Sequence, residues 1–353
     1  MTDTEQLLQE NHLIYQTDAT PGISRKKSGK NFIYIDAKGN KVTDERTLLR
    51  IKQLVLPPAW TNVWISPKAN AHLQATGVDA AGRKQYRYHT DWCKSRNQNK
   101  FYRLLEFGTK LPEFRRNLRK DLRRHQLDER KVLAISVSLM QKTFIRIGNE
   151  SYKQLYGSYG LSTLRDKHVK INGSRMKLAF KGKKGVFHEI EFSDRTLARL
   201  VKKCRDIPGQ ELFQYYTDNG ERRSIGSGAI NNYIKEITCC DFTAKDFRTW
   251  YGTLEALKCY AGFEAPGSQT LSRKITNTML DEVSAKLGNT RSVCKKYYVF
   301  PPLIEAYEAG RLQPYLKKLH NDTISSTETG LTTDEKVLLS FLKAERKLEG
   351  KKK

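Results

Sequence analysis

Four short stretches of the chain carry side chains able to work on a phosphate. Arg146 follows an apolar run, within Phe144-Ile145-Arg146-Ile147-Gly148. Lys183 stands in the Lys- and Gly-rich stretch Gly182-Lys183-Lys184-Gly185. Lys245 and Arg248 share Lys245-Asp246-Phe247-Arg248-Thr249-Trp250, and Tyr297 and Tyr298 follow the basic pair Lys295-Lys296. A guanidinium fork suits the charge of a phosphate passing through a five-coordinate state. A lysine can give up a proton, and a phenol can attack phosphorus. Such parts would open a phosphodiester without a metal, using cationic side chains and a protein nucleophile. Each also has an ordinary structural role when taken alone. A charged residue at a helix end is usually exposed or paired, a hairpin lysine is solvated, a Lys-x-x-Arg pair makes surface salt bridges, and a tyrosine fills a core.

Composition closes other routes. No G-x-x-x-x-G-K-[ST] loop is present, so nothing suggests ATP hydrolysis, and Gly182–Gly185 has no following helix to make it a phosphate cradle. No Asp/Glu cluster suggests a two-metal nuclease. Six Cys without CxxC spacing and seven scattered His argue against zinc and a disulfide scaffold, and for a reducing compartment. Neither cofactor nor metal is expected. With 64 Lys+Arg against 38 Asp+Glu, a net charge of +26 calls for a polyanion, nucleic acid first and an anionic membrane second. No apolar run approaches the ~20 residues of a membrane span. The first residues, with Asp3 and Glu5, do not read as a secretory signal.

These residues need elements to hold them. At roughly 100–200 residues per domain, 353 residues suggest two. Residues 1–24 hold four acidic residues and no Lys or Arg and read as a leader covering an edge. The alternation around Gly39-Asn40 predicts a hairpin, Val63 to Pro67 a short strand, and Gly82 to His89 another, with Tyr86 and Tyr88 on one face. A small β-rich domain over 1–108 follows, then a mainly helical domain over 109–353, giving an α+β fold. Arg115 to Arg124 predicts a basic helix, with Arg116, Lys120 and Arg124 beside Arg115, Arg119 and Arg123. Val132 to Ile147 predicts a buried helix ended by Gly148. Residues 168–192 change to a period of two and predict a three-stranded meander with Lys183 at a hairpin tip. Helical pattern resumes from Thr196 to about Lys286, broken at Asn219-Gly220 and Pro266-Gly267, and Lys336 to Lys353 is amphipathic.

Taken in order, an Arg, a hairpin Lys, Lys-x-x-Arg and a late Tyr resemble the catalytic domain of type IB DNA topoisomerases, particularly the poxvirus-like and bacterial forms. The resemblance covers nearly the whole chain, because Gly82 to Tyr88 is similar to part of the family's N-terminal DNA-clamping domain. It implies supercoil relaxation through a 3′-phosphotyrosine, strand rotation and religation, with duplex DNA as partner and the enzyme a monomer clamped around it. It also implies no membrane or small-molecule cofactor, and a cytoplasmic location, nucleoid-associated in a bacterium.

The resemblance implies roles residue by residue. Tyr298 is the nucleophile and Tyr297 a decoy, since one residue separates the basic pair from the family's tyrosine. Arg146 and Arg248 bind the non-bridging oxygens, Lys183 protonates the leaving 5′-oxygen, and Lys245 is an auxiliary lysine. Asn289 stands nine residues before the nucleophile, where poxvirus enzymes have His, and can donate only a neutral hydrogen bond. Arg83, Tyr86, Tyr88, Arg116, Lys120 and Arg124 are the expected duplex contacts. A tyrosine recombinase would share this logic but usually carries His-x-x-Arg where Lys245 stands. A non-catalytic duplex-binding protein would keep the charge without the tyrosine's role.

Overall fold

The computed structural model describes residues 3–29, 31–80, 82, 84–265, 267–321 and 329–350. The chain forms two compact units, Met1–Tyr102 and Arg103–Lys353. The first begins with α1 (Asp3–Glu10) and continues through β1 (Ile23–Ser28), β2 (Asn31–Ile35), α2 (Glu45–Gln53), β3 (Thr61–Ile65), β4 (Leu73–Val78) and β5 (Lys84–Tyr88). Helix α3 (Thr90–Leu122) starts here and ends in the second unit. The five strands form one antiparallel sheet, ordered β2-β1-β3-β4-β5. Its core is Ile23, Ile51, Val63, Ile65 and Ala75. Asp18, from the acidic start of the chain, bonds Lys84 Nζ at 2.5 Å on the edge strand and accepts from Thr76 at 2.9 Å on its neighbour.

The hairpin expected around Gly39-Asn40 is reduced to a tight turn, with one bridge between Ile35 and Lys41. The main partner of β2 is β1, before it in sequence. β1 reads Ile-Ser-Arg-Lys-Lys-Ser, so its single buried apolar residue leaves no alternation to detect.

The second unit holds α4 (Glu129–Thr143), α5 (Glu150–Tyr156), β6 (Val169–Asn172), β7 (Arg175–Lys181), β8 (Phe187–Ser193) and α6 (Arg195–Arg205). A short hairpin, β9 (Gln214–Tyr216) and β10 (Arg222–Ser224), surrounds Asn219-Gly220, where only a helix break is expected from sequence. Then come α7 (Ser227–Thr238), α8 (Ala244–Ala261), α9 (Gln269–Leu287), α10 (Arg291–Tyr297), α11 (Pro301–Glu308), α12 (Gln313–Asn321) and α13 (Thr333–Gly350). Helix α8 is central, packing on α7, α9, α11, α12 and α13, with Phe247 and Trp250 fully buried. No helix among the described residues is long and apolar enough to cross a membrane.

The fold is α+β, and the meander forms as expected, in the order β6-β7-β8. Period-two alternation sends Met176, Leu178 and Phe180 inward, while Lys177 pairs with Glu189 at 2.8 Å on the outer face. Behind the sheet, His168 is 8% exposed, meets Tyr159 edge-on at 4.4 Å and accepts from Arg165 N at 3.0 Å. Burial, then Lys167 and Arg165, push its pKa down to about 4. The unfolded chain therefore binds this proton more readily than the folded one. The stabilisation is complete above about pH 6.5 and is lost as pH falls through 4. Between pH 7 and 4.5, His168→Gln should lose less melting temperature than the wild-type protein; equal losses would remove His168 from the acid response.

Two expected helices differ in detail. α4 stops at Thr143, because Phe144 takes a left-handed φ of 55° and closes the helix, so Arg146 lies in the following loop. α3 ends at Leu122, which puts Arg124 in the next turn and not on the helix. The basic ladder is also split. Arg115 turns inward, donating to both oxygens of the buried Glu335 carboxylate at 2.6 and 2.8 Å and to Gly330 O at 2.6 Å. A bidentate pair with a buried carboxylate, 220 residues away in sequence, holds α13 to α3.

Candidate active site

Arg146 is held by its backbone before its side chain does anything. Its carbonyl accepts from Leu161 N at 2.8 Å, and Ile147 O accepts from Ser162 N at 2.6 Å. The chains cross at two glycines, where a Cβ on Gly160 would sit 2.6 Å from Gly148 Cα. Gly148 itself has a φ of 99°, which an L side chain rarely adopts. The guanidinium then reaches the turn after α9, donating to Gly288 O from both terminal nitrogens at 3.3 Å and to Asn289 Oδ1.

Arg248 approaches the same turn from α8. It is 4% exposed. One terminal nitrogen donates to Phe144 O at the end of α4, and the other to Leu287 O at the end of α9, at 2.8 Å. Two helix C-termini leave carbonyls without intrahelical partners, and one buried cation satisfies both. Its Nε–H has no acceptor among the described residues. Burial pushes the Arg248 pKa down, Tyr298 pulls it back and Arg146 pushes it down further. Among the described residues neither arginine has a carboxylate partner. Two adjacent cations without a counter-ion, one of them buried, carry a desolvation cost that an incoming anion offsets.

Tyr298 completes the cluster. Thr290 caps α10 through its side chain, and Tyr298 ends it, donating its N–H to Cys294 O at 2.9 Å. Its carbonyl accepts from Thr253 Oγ1 at 3.2 Å, and a Cβ on Gly252 would come within 2.8 Å of it. So α8 clamps the tyrosine's backbone, and its ring lies under Arg248, 5.0 Å from guanidinium carbon to centroid. Tyr297 is 38% exposed, with Lys296 Nζ over its ring. The result is two arginines without carboxylate partners among the described residues, set beside one half-buried phenol.

The structure thus brings Arg146, Arg248, Asn289 and Tyr298 together. Lys245 is exposed in the first turn of α8, one turn before Arg248. Lys183 is exposed in the turn between β7 and β8. Asn289 accepts from Arg146 through Oδ1, while its Nδ2 makes a long 3.4 Å contact with Leu287 O. It braces an arginine, a contact that the resemblance does not imply. Reading the sequence missed His188 on β8, whose pKa is lowered by burial and then by Arg146 and Arg248. Its one signal is the alternation that places it on the same strand face as Ile190 and Phe192.

Of the expected duplex contacts, Tyr86 is 49% exposed on edge strand β5 and stacks on Tyr88 at 6.1 Å. Tyr88 also covers the cluster of Leu7, Leu8, Leu13 and Trp92. Arg116 and Lys120 are exposed on α3. Arg124 pairs with Asp128 at 2.5 Å, the residue that caps α4. Arg83 lies outside the described residues.

Residues 85–322 match the family model described as eukaryotic DNA topoisomerase I, catalytic core, and residues 31–79 match the bacterial DNA topoisomerase IB N-terminal domain. DNA topoisomerase 1B of Acanthamoeba polyphaga mimivirus is 32% identical over 294 residues, covering 81% of this chain and 88% of the relative. DNA topoisomerase 1B of vaccinia virus (strain Copenhagen) is 24% identical over 283 residues, covering 75% and 84%. Among solved structures, the XerH site-specific recombinase bound to palindromic difH substrate aligns with a TM-score of 0.38 and 15% identity, over 58% of this chain and 51% of that one. By the family model over most of its catalytic unit and by the mimivirus relative along most of its length, the chain belongs to the type IB DNA topoisomerases.

Proposed function

We propose that this type IB topoisomerase relaxes supercoiled duplex DNA by opening one strand through Tyr298 and closing it again, with neither ATP nor metal. Tyr298 Oη bonds to the scissile phosphorus and the bond from phosphorus to the 5′-oxygen breaks. The phenol's proton leaves to water, and the 5′-oxygen takes one from Lys183. The product is a 3′-phosphotyrosine that conserves the bond for religation after the free end swivels. Arg146 and Arg248 hold the non-bridging oxygens, Asn289 keeps Arg146 in place, and Lys245 assists near the leaving group. The convergence of two carboxylate-free arginines on the turn at residues 287–289, one of them over the Tyr298 ring, carries this reading. The test is a supercoiled plasmid lacking recombination sites, incubated with EDTA and no ATP. Relaxation and a detergent-trapped adduct are expected; a plasmid left supercoiled overturns the reading.

Losing one pre-organised oxyanion donor costs about 10²–10³ in rate. Arg146→Ala and Arg248→Ala should each lose that much in cleavage, with duplex binding little changed. Arg248→Ala should also melt lower, because it strips two helix-end carbonyls of a buried donor, at about 1–3 kcal/mol. If either variant cleaves at the wild-type rate, that arginine is structural.

The duplex is held, on this reading, by a monomer clamped around it, with Tyr86, Tyr88 and Arg83 contributing from the N-terminal unit. Acting on a chromosome, the enzyme works in the cytoplasm, nucleoid-associated in a bacterium. Replacing Arg116, Lys120 and Arg124 by Gln should flatten the salt dependence of binding by roughly one unit of slope for each phosphate deprived of its cation. Arg116 and Lys120 should account for most of it, since Arg124 is engaged with Asp128. An unchanged slope places this surface away from DNA.

A further inference from the structure

His188 occupies a slot between two parts of the site. It faces Phe180 across the β7–β8 register, with the rings stacked at 5.0 Å and 16°. On one side it meets the residue before Lys183: a Cβ on Gly182 would lie 2.5 Å from His188 Cδ2. On the other it meets the residue before Asn289: a Cβ on Gly288 would lie 2.1 Å from Cε1. Gly288 needs to be glycine for its own φ of 57°, but Gly182 has φ −93° and ψ −164°, which any residue adopts. The imidazole's close approach is what excludes a side chain at Gly182. Neither ring nitrogen has a hydrogen-bond partner among the described residues, so the ring acts here through its shape.

We infer that His188 is a positioning residue for Lys183, a wedge that sets the Gly182–Val186 turn against Gly288, beside the phosphate site of Arg146 and Arg248. The turn is closed on itself by Gly182 N donating to Val186 O at 2.7 Å, and Tyr159 N ties Lys181 O at 2.8 Å. Those bonds shape the turn and tether its base. The imidazole adds what they lack, contact with the turn that carries Asn289. Burial, then Arg146 and Arg248, disfavour the protonated ring. A neutral wedge does not repel the arginines it lies near.

The inference rests on the reading of Lys183 as proton donor, and sulfur chemistry separates the two. A scissile bond with sulfur in place of the bridging 5′-oxygen expels a thiolate, which leaves without a proton. Single-turnover cleavage of both duplexes is measured for the wild-type enzyme, His188→Ala, His188→Gln, Lys183→Ala and the His188→Ala/Lys183→Ala double variant. A displaced catalytic group costs about 10²-fold, so His188→Ala should cleave ordinary DNA about 10–100-fold slowly, with duplex affinity unchanged. Sulfur should restore most of that loss, and the double variant should be no slower than Lys183→Ala. If His188→Ala fails to fold, the sulfur-to-oxygen rate ratio of His188→Gln gives the same answer. A defect in the His188 variants that sulfur leaves in place, or wild-type cleavage of ordinary DNA, overturns the inference. Failure of sulfur to rescue Lys183→Ala overturns the proton-donor reading itself.

Discussion

Tyr298→Phe is expected to abolish both relaxation and the covalent adduct, while Tyr297→Phe retains both. The substitution removes one oxygen and leaves the ring under Arg248. The backbone clamp on Gly252 and Thr253 also remains, so the variant should fold and bind duplex as before. What disappears is the atom proposed to bond to phosphorus. Removing a nucleophile from a preassembled site typically costs about 10⁶ in rate, which is total loss in a plasmid assay. Two adjacent tyrosines make the experiment discriminating. Tyr297 is exposed beside Lys296, whereas it is the Tyr298 ring that lies under Arg248. Mass spectrometry that placed the nucleotide on Tyr297 would sink the assignment of Tyr298, and with it the meaning given to Arg248.

Lys183→Ala is expected to cleave ordinary DNA about 10²–10⁴-fold slowly, the usual worth of general-acid help. Cleavage releases an alkoxide whose conjugate acid is far weaker than any nearby donor, so its protonation belongs in the transition state. With a bridging sulfur the leaving group needs no proton, and the defect should nearly vanish. Arg146→Ala, whose proposed work is on the non-bridging oxygens, should stay slow on both substrates. Lys245 provides the competing outcome. It stands at the start of α8, one turn from Arg248, and is exposed. Rescue of Lys245→Ala by sulfur, with Lys183→Ala left unrescued, would assign the proton to Lys245 and leave Lys183 as a groove contact.

The sequence by itself determined the inventory and its order: an arginine after an apolar helix, a lysine in a meander, Lys-x-x-Arg, and two tyrosines after a basic pair. Each is a local signal. Strand alternation over β6–β8 and apolar spacing in α4 and α8 are written within a dozen residues, so those elements were legible from the chain alone. Tertiary structure alone decided what each cation faces. Arg115 and Arg116 are neighbours in one basic run, yet the first is half-buried on Glu335 and the second is exposed. Arg146 meets Asn289 across 143 positions, and Arg248 joins the ends of α4 and α9. No periodicity encodes those pairings, because a guanidinium's partner is chosen by which helix ends converge in space. His188 is the sharpest instance. In the sequence it is one inward residue of a strand, and only the closed fold turns it into a wedge between Gly182 and Gly288.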